Sequence, residues 1–134
     1  MSVIEEALVA ILAGNAGVKA LAGSRIYPLV APPDVTLPAI AYQRISGPRV
    51  HSHSGSSGLA SPRFQFTALA STYSGAKALV NAMRQALDCY VGIVLGVQIH
   101  AIVLENEVDG YNDSADRQAS TFTVWIDATV WHQE

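Results

Sequence analysis

Charge is scarce in this chain, and lysine is scarcest: Asp, Glu, Lys and Arg make up 14% of 134 residues, and Lys19 and Lys77 are the only lysines. With a net charge of −3, no dense basic stripe is available to neutralise phosphates, so direct nucleic-acid recognition is not expected. Cysteine is nearly absent. Cys89 stands alone, which rules out an internal disulfide, and no ligand spacing around it suggests zinc. No apolar run approaches the ~18 residues of a membrane span. The opening Met-Ser-Val-Ile-Glu-Glu is acidic where a secretory signal would be basic, so a soluble chain made in the cytosol, without a membrane partner, is expected. Gly55-Ser56-Ser57-Gly58 lacks the lysine and following helix of a phosphate loop, and neither Cys89 nor any serine sits in a nucleophile elbow. No enzyme, no catalytic residue and no cofactor is expected.

What the sequence has is apolar patterning. Half of the residues are hydrophobic, which excludes a mostly disordered chain, and the length suits one domain over 1–134. The clearest stretch is 119–131. Phe122, Val124, Ile126, Ala128 and Val130 alternate with Thr121, Thr123, Asp127 and Thr129, the signature of a strand with one core face. Trp125 and Trp131 interrupt the wetter face. Two indoles there call for a covering element or a partner surface, because Trp is enriched in interface cores.

The remaining elements read in order. Ser2 and Glu5 have capping-box form, and Ile4, Ala7, Leu8, Ile11 and Leu12 predict a helix over 3–13 ended by Gly14-Asn15. A brief helical segment over 18–21 and a short edge strand over 25–28 follow. Strands are expected over 39–46 and 63–68. A second full helix is capped by Thr72 or Ser74, with Ala76, Leu79, Val80, Met83 and Leu87 inward and Lys77, Asn81, Arg84 and Gln85 toward water. A strand over 97–104 places Val97, Ile99, Ala101 and Val103 on one face and His100 on the other. The fold expected is therefore α+β, a mainly antiparallel four-stranded sheet with two helices on one face, order α-β-β-α-β-β. Long, flexible hairpin loops are expected at about 47–62 and 105–117.

Two loop constellations invite chemistry. His51 and His53 would share a face of an extended segment and suit one metal, but no third ligand lies nearby in sequence, and a solvated Ser/Gly-rich loop is the simpler reading. Glu105, Glu107, Asp109, Asp113 and Asp116 offer oxygen ligands without the spacing of a calcium loop. A solvated acidic loop, or one facing a basic partner, explains them better. No metal site is expected.

A series of short matches then carries a family resemblance. Leu21-Ala22-Gly23-Ser24-Arg25-Ile26-Tyr27-Pro28 follows the first helix; Ala31-Pro32 and Leu37-Pro38-Ala39-Ile40-Ala41-Tyr42-Gln43-Arg44-Ile45-Ser46-Gly47 come next. Arg63-Phe64-Gln65-Phe66 leads into Thr72-Tyr73-Ser74-Gly75-Ala76. Met83-Arg84-Gln85-Ala86-Leu87-Asp88 ends the second helix, and Val130-Trp131-His132 closes the chain. In this order the series resembles the tail-completion, or tail-terminator, proteins of long-tailed bacteriophages and prophages. The resemblance implies a structural protein that forms a ring, a hexamer in that family, at the head-proximal end of the tail tube. Its partners would be itself, the tail-tube protein and head-connector proteins, with assembly in the host cytoplasm and residence in the virion. Ring closure would draw on Arg49, His51, His53, Asp109, Asp113, Asp116, Trp125 and Trp131. A head–tail adaptor is the alternative within the structural class, and a small metal- or ligand-binding module the alternative outside it.

Overall fold

The computed structural model describes residues 4–23, 25–29, 36–46, 49–52, 55–112 and 121–133. Helix α1 (Ile4–Gly14) buries Ile4, Ala7, Leu8, Ile11 and Leu12, the residues at helical spacing. Asn15 then accepts a hydrogen bond from the Val18 amide and starts α2 (Ala16–Leu21). Helix α3 (Tyr73–Leu87) is capped by Thr72, whose hydroxyl accepts from the Gly75 amide at 3.0 Å, and it buries Ala76, Leu79, Val80, Met83 and Leu87.

The strands are β1 (Ile26–Pro28), β2 (Ala39–Ser46), β3 (Arg49–Ser52), β4 (Gly55–Ala60), β5 (Arg63–Ala70), β6 (Gly92–Val94), β7 (Val97–Asn112) and β8 (Thr121–Gln133). They form one mixed sheet. Six strands lie across it in the order β1-β2-β5-β8-β7-β6, and β3 and β4 prolong the β2–β5 hairpin until β4 also meets β8 at Leu59 and Ala60. β1 runs parallel to β2 and the other pairings are antiparallel.

The expected four-stranded, two-helix fold is thus corrected. The four expected stretches all form strands, but they are the middle of a larger mixed sheet, and α2 makes a third helix. The long hairpin loops shrink as well. Of 47–62, residues 49–52 and 55–60 are strand, and 105–112 continue β7 instead of leaving it.

One core forms where α1, α2 and α3 meet a single sheet face. Phe64, Phe66 and Ala68 of β5 stand opposite Ala128, Ile126 and Val124 of β8, and all six are buried with Leu8, Leu12, Leu79 and Met83. Each large side chain fully buried there stabilises by roughly 1.5–3 kcal/mol. Register shifts at His100 and Glu105 matter for the rest. One extra residue flips every later side chain to the other face. Ile102 therefore joins Ile99 in the core, whereas Ala101 and Val103, expected beside Ile99, lie on the opposite face with Trp131 and Thr129. Among the described residues no helix is long and apolar enough to cross a membrane.

Candidate functional site

The features suited to contact lie on the distal half of β7, on the sheet face turned away from α3, and at the β6 edge. Past the bulge at Glu105, Glu107 stands opposite Ile126 and Asp109 opposite Val124, on the face that α3 covers. Lys77 of α3 meets them there. Its Nζ donates to Glu107 Oε2 at 2.8 Å and to Asp109 Oδ1 at 2.7 Å, the Tyr73 hydroxyl donates to Asp109 Oδ2 at 2.7 Å, and Arg84 lies 3.8 Å from Glu107. The hydrogen bonds from Lys77 and then Tyr73 hold the Asp109 carboxyl below its ordinary range. The same bonds, Asp109 first and then Glu107, push Lys77 above the ordinary lysine value, and the bond to Asp109 raises Tyr73. These contacts form a charged clip that ties the outer part of β7 to α3.

The opposite face carries the tryptophans. Trp125 stands between Thr67 and Val108 and lies across Gly110, where a Cβ atom would fall on its indole ring. Trp131 stands beside Ala101 and keeps 36% of its surface exposed, with Val103 and Val108 exposed nearby on the same face. Between them Arg63 reaches Glu105 at 2.9 Å and Asp127 at 3.9 Å, while the Thr129 hydroxyl donates to Glu105 at 2.7 Å. At the β6 edge Val91, Ile93 and Leu95 are each more than half exposed.

The structure distributes the expected interface residues unevenly. Asp109 faces α3 in the clip. Trp125 and Trp131 share the other face. Arg49 and His51 lie in β3, with Arg49 opposite Ala60 and His51 opposite Ser56, far along the sheet from Asp109. His53, Asp113 and Asp116 lie outside the described residues. Glu105 points away from Glu107 and Asp109, and each of the three is bonded to a cationic or hydroxyl side chain, so these carboxylates do not converge on a cation. Among the described residues no group of three or more His, Cys, Asp or Glu could hold a metal ion.

Lys77, Tyr73 and Arg63 escaped sequence reasoning because their partners are distant in the chain. A faint signal existed: Glu107 and Asp109 recur at period two, a strand spacing that the end of the apolar run at Leu104 and the bulge at Glu105 obscured.

The sequence matches the family model described as tail completion protein gp17 over residues 6–130. This chain belongs to that family. It is accordingly a structural protein of the phage tail and a component of the virion. Among solved structures, a chain from "Virion of native gene transfer agent (GTA) particle" matches with a TM-score of 0.79 and 15% identity, over 98% of this chain and 95% of that one. At that identity the likeness shows a shared fold. No curated protein matches the sequence.

Proposed function

We propose that this tail completion protein closes into a ring of six copies at the head-proximal end of the tail tube, ends tube polymerisation there and presents a joint to the head connector. Copies assemble in the host cytoplasm as one domain each, and the partners are the chain itself, the tube protein and the connector. The family membership supports this reading. The observation that carries it is the separation of exposed apolar groups onto different surfaces: Val103, Val108 and Trp131 on one sheet face and Val91, Ile93 and Leu95 at the β6 edge. A ring subunit needs two unlike surfaces, because each copy meets its two neighbours differently.

Within that ring we assign contacts to Trp125 and Trp131, to Arg49, His51 and His53, and to Asp109, Asp113 and Asp116. Light scattering behind a sizing column, followed by electron microscopy of the largest species, tests the assignment. The parent gives a discrete ring, alone or once tube protein is added, and Trp125→Ala and Asp113→Lys reduce it. Unchanged assembly by both variants removes those residues from the interface. A strict monomer that ignores tube protein removes the ring.

A further inference from the structure

The two long edges of the sheet are open at the same level. On one side β1 covers β2 only from Ile40 to Tyr42, and among the described residues no strand lies beside Gln43–Ser46. On the other side β6 covers β7 from Val97 to Ile99 and, in the same register, the Cys89 amide donates to the Ile102 carbonyl, which leaves the strand from Val103 to Asn112 without a described neighbour on its outer side. At 16 residues β7 is far longer than an average strand of about 5–6. Edges of that length template stray pairing unless something covers or guards them. Neither stretch carries a proline or a lysine, and a single bulge interrupts each. Glu107 and Asp109 are tied back onto α3 by Lys77 and Tyr73, and Gly110 has no side chain.

We infer that the open edge of β7 in one copy pairs with the open β2–β3 edge of a second copy, so that the sheets run continuously from subunit to subunit. This rests on the ring reading and specifies its joint. Three observations select a second copy as the occupant. First, direction matches. β2, β5, β8 and β7 alternate antiparallel, so β7 set beside the next copy's β2 continues the alternation. Second, the bulges match. β2 is bulged at Ile45, between Arg44 opposite Phe64 and Ser46 opposite Arg63, and β7 at Glu105, between Leu104 opposite Ala128 and Asn106 opposite Asp127. Phe64 stands opposite Ala128, so both bulges sit at one level, and a regular foreign strand would fit neither edge for long. Third, the side chains match. Ile45 and Val103, 42% and 46% exposed, occupy the two edges at that level. The clip on α3 holds the receiving strand in place before the partner arrives, which limits the ordering cost of pairing.

The test uses a Cys89→Ser parent carrying Ile45→Cys or Val103→Cys, joined by a short bis-maleimide. A mixture of the two single variants should give cross-linked dimers at least tenfold above either variant alone, and the double variant should give a ladder up to the full ring. Rings that form without the 45–103 link, or single variants that link as well as the mixture, overturn this joint while leaving the ring intact. Absence of any ring, with tube protein present, overturns the ring and the joint together. Hydrogen exchange on the unmodified chain gives an independent reading: on assembly, amides of 43–46 and 103–110 should slow by at least tenfold, and unchanged exchange in both segments overturns the inference.

Discussion

Gly110→Ala turns the position of Trp125 into a question of sign. Gly110 lies within the extended β7, opposite Thr123. In open space, alanine there would stabilise the fold by about 0.4–1 kcal/mol, because it restricts the unfolded chain. The structure leaves no open space. The new Cβ would fall on Trp125 Cη2, lie 2.5 Å from Cζ3 and lie 2.7 Å from Thr123 Oγ1. Something must move, and the indole is flanked by Thr67 and Val108. Overpacking of this kind costs about 1–3 kcal/mol, so the variant should melt lower by roughly 4–12 °C at this chain length. Tryptophan emission in a Trp131→Phe background should shift as the Trp125 ring is displaced toward water. The double variant Gly110→Ala with Trp125→Ala should recover most of the loss due to alanine, measured as a double-mutant cycle. A Gly110→Ala protein as stable as its parent or more so, with unchanged emission, would refute the placement of Trp125 across the glycine.

Other expectations follow from the core and the clip. Phe66→Ala removes a fully buried ring from the middle of the sheet and should cost about 3–5 kcal/mol in chemical denaturation; a loss under 1 kcal/mol would contradict its place in the core. Thr72→Ala removes the cap of α3 and should cost about 1 kcal/mol, measured the same way. Asp109 has a folded pKa below its unfolded one, so its contribution is present above the unfolded carboxyl value and is lost as pH falls through the folded one. The melting difference between parent and Asp109→Asn should therefore hold from pH 7 down to the ordinary carboxyl value, shrink as pH falls below it, and shrink with added salt; a difference independent of both would discount the clip. Lys77 has the opposite sign. Its raised pKa means that, while its carboxylate partners are charged, its contribution is complete below the ordinary lysine value and fades as pH climbs past it, so Lys77→Met should keep its effect through neutral pH and lose it in strong alkali, and also in acid where Asp109 is protonated.

Legibility from sequence followed local repetition. β8 alternates through the core, and of the five residues its pattern picks out Val124, Ile126, Ala128 and Val130 are buried, while Phe122 is half-buried and Thr121 and Thr123, expected on the wetter face, are buried at the start of the strand. α3 has a clean apolar stripe and a polar cap, and all five stripe residues are buried. Where the chain inserts one residue, the pattern broke. The shifts at His100 and Glu105 exchange the faces of β7, so Ala101 and Val103 seemed to continue a core row that Ile102 and Leu104 take over, and the charged half of the strand read as loop. β3 and β4 failed for a different reason. Their Ser/Gly-rich sequence carries no apolar alternation, and their place in the sheet is set by pairing with each other and with the end of β8, which no window along the chain contains. Short β6 depends in the same way on its neighbour β7, whereas the edge strand expected over 25–28 forms as β1. The site showed the same division: Trp125 and Trp131 stood out against their own strand, whereas Lys77 read as a solvated lysine because the carboxylates it binds arrive 30 and 32 residues later.

The measurement closest to the central claim is the length of tail tubes grown in vitro from purified tube protein, followed by electron microscopy with and without this chain. The account predicts that the added chain stops elongation and leaves a ring on one end of each tube. Tubes that keep lengthening, with no density at either end, would contradict it.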